Sequence, residues 1–547
     1  MTGVVVVVAK EIRKTKQKLF SMEETRLSQK IIRNTISGQF AYVCSMIVGL
    51  VVTPYIVLKI GIEQYGLFVL VEVVVSFLSL FDISGINTSF VKYIAEYNAK
   101  RDSNRLNQIV SLGFVYYTVF WLIICILAYC LKVPILSFFK ISPNLMHQAS
   151  FVFDGMLIIA VLQGSLSIFR SILIGLQRMD VTNGISVISS ILYGLTTFIV
   201  LALNYGLVGI VINSIVLAFL RMAAQTIIAC KTTEWLRFKV RNLNREMFMM
   251  TLGYGVRLQV ANFAELATMQ ASKFILGHFL SLKFVGYYEL GSKIASVARS
   301  FAVQLLPSLF PAASELDALH DKQGIRMLYY RGGKYMGLVA FPAFLFVFSQ
   351  AYTMISLWMG NKGYDYSILT VQFLCVGYLA SVITGIACGI ARGMGKPELE
   401  MRSSLIVAAL TVSLSTLLVI KIGFLGALIG TSVSIICGSI YLIVVFHRLT
   451  KLPFFCFDIV KAYGMPLLAS ILGSVALFLV GDMMPVSQGN LSLRYWAFFC
   501  LAVRGVIFLT VYVSTLLALR CFDQYDRTFF GQIGQVFLSM TFKRPLK

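Results

Sequence analysis

About fourteen apolar runs, each close to the length of a membrane-crossing helix, follow one another along this chain. They cover approximately 36–58, 66–91, 106–131, 149–174, 182–203, 206–230, 247–279, 284–312, 332–358, 367–391, 403–420, 424–446, 463–481 and 495–519. A helix needs about 20 mostly apolar residues to cross the hydrocarbon core. Repetition at this density leaves one fold class, an all-α polytopic membrane protein. Composition closes off the alternatives. Of 547 residues, 58% are hydrophobic and 13% charged, against about 45–50% and about 25% in an average soluble domain. One soluble core could not bury that much apolar surface, so an ordinary globular enzyme, a disordered chain and a secreted disulfide scaffold are excluded.

The chain carries 47 Lys and Arg against 24 Asp and Glu, a net charge of +23. In a soluble protein such an excess points to nucleic acid; in a membrane protein its placement decides. With the N-terminus inside, seven basic residues (Lys59, Lys132, Lys140, Lys283, Lys362, Lys421 and Arg494) fall in outer loops. Eight fall within the spans, and the remaining two-thirds lie in cytosolic segments, among them Arg13, Lys14, Lys100, Arg101, Arg237, Lys239 and Lys396. This is the positive-inside pattern. It predicts cytosolic termini, contact with anionic membrane lipids and no nucleic-acid partner. The apolar run Val4–Ala9 precedes its basic residues, the reverse of a signal peptide. Residues 1–34 therefore read as an uncleaved basic cytosolic arm, suited to lie on the membrane surface. Ten cysteines without a CxxC pair and four scattered histidines predict buried thiols and no metal site.

A repeat runs through the pattern. Tyr65-Gly66-Leu67-Phe68 reappears as Val285-Gly286-Tyr287-Tyr288, and Ala95-Glu96 as Ser314-Glu315. Gly175-Leu176-Gln177-Arg178 returns as Gly393-Met394-Gly395-Lys396, and Gly206-Leu207-Val208-Gly209 as Gly423-Phe424-Leu425-Gly426. The order is kept and the offset is nearly constant. A unit of six spans keeps its orientation when repeated, so the halves relate by an axis along the membrane normal. The expected organisation is a six-helix bundle over 35–230, a basic linker over 231–246 and a second bundle over 247–448. Helices 13 and 14 (449–520) and a cytosolic tail (521–547) follow. Alternating-access transporters built this way place substrate between the halves.

Three stretches carry a family resemblance: Gly61-Ile62-Glu63-Gln64-Tyr65-Gly66-Leu67-Phe68, Leu78-Ser79-Leu80-Phe81-Asp82-Ile83-Ser84-Gly85 and Val91-Lys92-Tyr93-Ile94-Ala95-Glu96-Tyr97. Together they resemble the signature of the polysaccharide (Wzx-type) flippases, within the multidrug/oligosaccharidyl-lipid/polysaccharide transporter superfamily. The resemblance implies a bacterial cytoplasmic-membrane protein that moves undecaprenyl-pyrophosphate-linked oligosaccharide from the cytosolic to the outer leaflet. It implies alternating access driven by an ion gradient (H⁺ or Na⁺), no other cofactor, and a place in O-antigen, capsule or exopolysaccharide assembly. Polysaccharide polymerase and chain-length machinery are the partners it suggests. One departure stands out. The family's seventh helix often has an acid immediately before a basic residue; here Ser272 precedes Lys273.

Ionisable groups at membrane depth are costly and are functional candidates by default. Eight are basic (Arg170, Arg221, Arg257, Lys273, Lys293, Arg299, Lys334 and Arg504) and five acidic (Glu72, Asp82, Asp154, Glu265 and Glu289). A cationic interior suits a diphosphate. Glu289, Lys293, Ser296, Ser300 and Gln304 share one helical face, either lining a cavity or forming a polar helix–helix seam. The substrate-binding candidates are Arg257, near mid-depth and the leading one, with Arg299, Lys293, Arg221, Arg170 and Lys273. Arg170 and Lys273 lie near enough to helix ends to snorkel instead. Glu72, Asp82, Glu265 and Glu289 are candidates for ion coupling or charge pairing. Asp154 reads as structural, Lys334 as interfacial, and Arg504 lies outside the two-bundle core.

Two relatives of the same fold compete with the flippase reading. A multidrug exporter often uses a carboxylate in its first helix, and span 1 has no Asp or Glu. A peptidoglycan-precursor flippase typically has arginines there, and span 1 has none. A membrane polymerase or glycosyltransferase would need converging acids or metal ligands at one membrane face. The outer loops hold single acids, and Asp523 and Asp526 form no DxD pair.

Overall fold

The computed structural model describes residues 2–79, 84–233, 245–304, 306, 309–360, 363–451, 457–480, 491–526 and 528. Its description excludes the side chains of 2–32, 79, 84–86, 246, 252–262, 265, 457–460 and 491–496. Among the described residues the chain is helical without strands. The helices of the first half are α1 (Thr2–Ser79), α2 (Ser84–Ala99), α3 (Ser103–Cys130), α4 (Lys132–Phe138), α5 (Pro143–Ser165), α6 (Ser167–Gly175), α7 (Met179–Ala202), α8 (Gly206–Thr232) and α9 (Arg245–Phe279). The second half continues with α10 (Leu282–Val303), α11 (Leu309–Ala318), α12 (Lys322–Ser349), α13 (Ala351–Met359), α14 (Asp365–Gly393) and α15 (Glu398–Ile422). It ends with α16 (Phe424–Thr450), α17 (Phe457–Leu479) and α18 (Leu491–Ala518). They fall into two compact units, Met1–Phe263 and Ala264–Lys547.

Among the described residues, eleven stretches are long and apolar enough to cross a membrane. One of them, Arg33–Leu78, is two helices joined at Gly61, where φ 82° and ψ 162° break the spiral. That conformation suits a residue without Cβ, and the break falls between the first two expected spans. The expected span over 247–279 coincides with α9, and that over 284–312 begins with α10. α10 carries Lys283, Glu289, Lys293 and Arg299 in 22 residues, so its composition alone does not mark it as a span.

Boundaries differ where local chemistry intervenes. The expected span to 312 stops at Val303, with Gln304 as its C-cap, and α11 begins at Leu309. The sequence places Pro307 between them, and proline cannot continue a helix's hydrogen bonding. The expected span 332–358 begins earlier, at Lys322, because Asp321 caps it by accepting a hydrogen bond from the Gly324 backbone N–H (2.8 Å). It breaks at Gln350 into α12 and α13. Most of the expected outer loop 132–148 is helical, as α4 and the start of α5.

The repeat is written into the backbone. Residues with positive φ recur at equivalent positions of the two halves: Arg101 with His320, Gln177 with Gly395, and Gly206 with Gly423. Each of the first two follows a helix end, where a left-handed residue closes the last turn. The N-cap aspartates recur as well, Asp102 before α3 and Asp321 before α12.

Inside each unit, small residues set how closely helices approach. A Cβ on Gly164 of α5 would lie 1.8 Å from the Trp121 indole nitrogen of α3, and Trp121 is fully buried. α2, α3 and α6 meet around Phe90, Ile94, Ile109, Tyr117, Ile168 and Phe169. In the second unit, α18 is fastened along α12. Arg504 donates to Gln350 Oε1 (3.0 Å) and Thr353 Oγ1 (3.3 Å), and Tyr512 donates to the Leu338 carbonyl (2.9 Å). Beyond α18, the fully buried Asp526 carboxylate accepts from Lys334 and Tyr335, and Arg331 lies 3.5 Å from it. The Arg331 guanidinium also lies over the Tyr525 ring at 3.8 Å. Lys334, expected at the interface, is part of this cluster.

Two predictions follow from this packing. Gly164→Ala forces Trp121 out of its site and is expected to cost about 1–3 kcal/mol, read as a lower thermal midpoint of the detergent-purified protein. Burial pushes the Asp526 carboxyl up, but hydrogen bonds from Lys334, the Asp523 backbone and Tyr335 outweigh it and hold the group below its ordinary range. Its stabilisation is therefore complete above that range and is lost as pH falls through the lowered value. Asp526→Asn should flatten the acid limb of the stability–pH curve; an unchanged limb would exclude the cluster as its source.

Candidate functional site

The polar residues of the second unit converge around α10. Its start is fixed by Ser281, extended at φ −159°, and its register against α14 by Gly291. A Cβ on Gly291 would lie 2.4 Å from Thr370 Cβ and 2.6 Å from the Ser367 carbonyl. Ser367 Oγ donates to the Tyr287 carbonyl (2.9 Å) half a turn before Glu289. This close approach presents Glu289 to α9, where Lys273 Nζ meets Glu289 Oε2 at 2.6 Å. Both side chains are largely buried, 11% and 14% exposed. Lys293, one turn along α10, is 3.8 Å from Glu289 Oε1 and about one-third exposed. Glu289 is thus shared between two lysines. Beside it, Ser272 Oγ and Thr431 Oγ1 are hydrogen-bonded at 2.5 Å.

Lys273 does not snorkel: its ammonium is held inside by Glu289. The i,i+4 partner Lys293 is the more distant of the two. Arg299, half-buried at the far end of the stripe, lies over the Tyr378 ring at 5.5 Å and 3.8 Å from Met269 Sδ. Tyr378 and Thr431 escaped the sequence reading because each is an ordinary apolar-helix residue until a distant helix brings a polar partner to it. The backbone of α9 carries Arg257 and Glu265, but their side chains lie outside the described residues, as does the whole of Asp82.

The first unit holds a separate pair. Every residue of α6 other than Arg170 is buried or half-buried, and Arg170 is exposed. α6 packs on α8, which carries Arg221. Arg221 continues the buried stripe of Leu217, Ala218 and Gln225, away from the exposed stripe of Val216, Phe219 and Leu220. Neither arginine makes a hydrogen bond or ion pair with any described residue. Glu72 is exposed on α1, and Ser76, one turn further on, donates to the Val73 carbonyl (2.7 Å). Asp154 pairs with Lys132 at 2.5 Å, a structural role. Among the described residues no group of His, Cys, Asp or Glu is arranged to hold a metal ion.

A family model described as polysaccharide biosynthesis protein matches residues 31–317, more than half of the chain. A Haloferax volcanii protein designated a probable low-salt glycan biosynthesis flippase is 22% identical over 166 residues, 30% of this chain. That match spans 35% of the relative's own length. A Shigella flexneri protein assigned by name to O-antigen transport is 18% identical over 416 residues, 75% of this chain and 96% of that one. Two solved structures share the fold. The lipid II flippase MurJ in an inward closed conformation gives a TM-score of 0.68 at 16% identity, covering 89% of this chain and 99% of that one. An inward-facing multidrug resistance MATE transporter gives 0.63 at 13%, covering 77% and 98%.

Glu289→Gln leaves the buried Lys273 ammonium without its counter-charge and is expected to cost about 3–5 kcal/mol. Pairing it with Lys273→Met should recover most of that stability. A single variant as stable as the wild type shows that the two do not form a buried ion pair.

Proposed function

Because the chain belongs to the polysaccharide biosynthesis protein family, the polysaccharide flippases of the multidrug/oligosaccharidyl-lipid/polysaccharide transporter superfamily, we propose that it flips a lipid-linked oligosaccharide from the cytosolic to the outer leaflet. The family match over residues 31–317 carries this reading. The fold, shared with a flippase and an exporter, supports transport rather than catalysis. In its finer form the reading takes undecaprenyl pyrophosphate as the lipid carrier and alternating access as the mechanism. An ion gradient supplies the drive, and O-antigen, capsule or exopolysaccharide is the product. The Shigella relative's name supports the O-antigen branch. A bacterial inner-membrane location with cytosolic termini is supported by the distribution of Lys and Arg.

The chemistry asked of the protein is limited. A diphosphate must leave the headgroup region and cross hydrocarbon, where an isolated charge is costly. Arginine and lysine offset that cost by neutralising phosphate oxygens. Arg170, Arg221, Arg257, Lys273, Lys293 and Arg299 are the cations proposed for this role. Glu72, Asp82, Glu265 and Glu289 are the acids proposed for coupling H⁺ or Na⁺ or for charge pairing. Polysaccharide polymerase and chain-length proteins are proposed as partners downstream.

Cells in which the protein is disabled should accumulate lipid-linked oligosaccharide on the cytosolic leaflet, measured by its inaccessibility to an externally added glycan-modifying enzyme. Cells that lack the glycolipid altogether point to a biosynthetic enzyme instead. Cells with normal outer-leaflet glycolipid and lost drug efflux point to an exporter.

A further inference from the structure

We propose that the aromatic cluster at the outer end of the second unit is a glycan-holding platform, a site for a pyranose ring of the transported oligosaccharide. The inference rests on the flippase reading above and adds where the sugar, not its lipid carrier, is received.

Three helices start on the side that the Lys and Arg distribution assigns to the outside, and each brings rings to its first turns. α10 supplies Phe284 and Tyr287, α14 supplies Tyr364 as its N-cap and Tyr366 in its first turn, and α16 supplies Phe424. Ser367 Oγ, donating to the Tyr287 carbonyl at 2.9 Å, and the close approach at Gly291 keep α14 in register with α10. The rings then meet without a gap. Tyr366 lies 5.0 Å from Phe284, 5.1 Å from Phe424 and 5.7 Å from Tyr287, centroid to centroid. Tyr287 lies 6.0 Å from Tyr364, and Phe284 lies 5.3 Å from Phe424. These are the separations of favourable aromatic pairs. Phe424 is buried, Phe284, Tyr287 and Tyr364 are half-buried, and Tyr366 is 41% exposed. The cluster thus has a buried floor and an open side.

Aromatic residues also gather wherever helices meet lipid headgroups, but such a belt would ring both halves. The repeat sets Phe284 and Tyr287 against Gln64 and Leu67, and Phe424 against Leu207. The register of Gly175 with Gly393 sets Tyr364 and Tyr366 against Met146 and Gln148. The first unit has no Phe, Tyr or Trp at these positions, so the cluster is not a by-product of the shared fold. A sugar matches it chemically. A pyranose turns a face of C–H groups, slightly positive, toward the negative face of an aromatic ring. Its hydroxyl rim needs donors and acceptors beside the rings. Lys283 precedes Phe284, and Asp365 stands between Tyr364 and Tyr366; both are exposed. The tyrosine hydroxyls can themselves donate or accept. A prenyl chain has no hydroxyl rim to satisfy, and a diphosphate is repelled by the negative ring faces.

The test uses the full-length protein in phosphatidylcholine nanodiscs. The probe is the reducing oligosaccharide released by mild acid from the lipid-linked glycan of the cells that make the protein. Saturating the aromatic ring protons should transfer magnetisation to the C–H protons of the probe, a readout that needs no variant. Tyr366→Leu should weaken binding about threefold to tenfold, the scale of one aromatic contact. Tyr366→Phe keeps the ring and should retain most of the binding. Tyr352→Leu, an exposed change in α13 outside the cluster, should leave binding as it was. No transfer in the wild type, or equal affinity in Tyr366→Leu, overturns the platform. An equal loss in Tyr352→Leu overturns it too, as the mark of a general membrane belt. Farnesyl diphosphate displacing the oligosaccharide overturns it in favour of a carrier site. If the platform fails while the leaflet assay shows flipping, the flippase reading stands without it. If the oligosaccharide binds these rings but disabled cells keep normal outer-leaflet glycolipid, the platform stands as a glycan site and the flippase reading falls.

Discussion

A helix surrounded by hydrocarbon must satisfy its backbone polar groups within itself, because no water is present to do so. The rest of this structure depends on that constraint. Once each span is closed upon its own hydrogen bonds, helices associate through packing and scattered side-chain contacts, since lipid is as apolar as leucine. Close approach then falls to residues with little or no side chain. Gly164 against Trp121 and Gly291 against Thr370 are such places, and serine and threonine supply the contacts between helices, as in Ser272 with Thr431 and Ser45 with Ser190.

The same medium sorts the charges. A buried ion pair is weak evidence for stability, but separating one leaves a charge in a medium that solvates it poorly. Lys273 and Glu289 follow this logic in the second unit, and Asp526 with Lys334 follows it beyond the end of α18. Arg170 and Arg221 do not: neither has an acidic partner among the described residues. The two halves share a backbone plan down to their left-handed residues, yet they carry different electrostatics.

Much of the fold was legible in the sequence because the signals were local. Apolar runs marked the spans, and Gly61 sits where the first two separate. Gly175-Leu176-Gln177-Arg178 and its counterpart at 393–396 announced the same loop twice. Charges blurred the signal in α10, and Pro307 follows its end. The charged site was less legible because its partners are remote in sequence. Lys273 looked free to reach the headgroups because its neighbours along α9 offered no acid; the acid comes from α10. Asp526 was noticed for failing to make a catalytic pair, and its position under Lys334 and Tyr335 depends on how α18 lies against α12. Arg504 looked peripheral on span count alone, whereas Gln350, at the break between α12 and α13, is what receives it.

The fastening of α18 along α12 has a mechanical side. Contacts at Lys334, Leu338 and Gln350 grip α18 and the segment after it from the middle of α12 to its C-terminal end, leaving little freedom to slide or pivot. α17 packs on both helices. The appended pair therefore behaves as part of the second unit and not as a loose tether. It adds two long apolar helices to this unit. Lateral pressure or a change in bilayer thickness acting on α17 and α18 is therefore passed to α12 through these contacts.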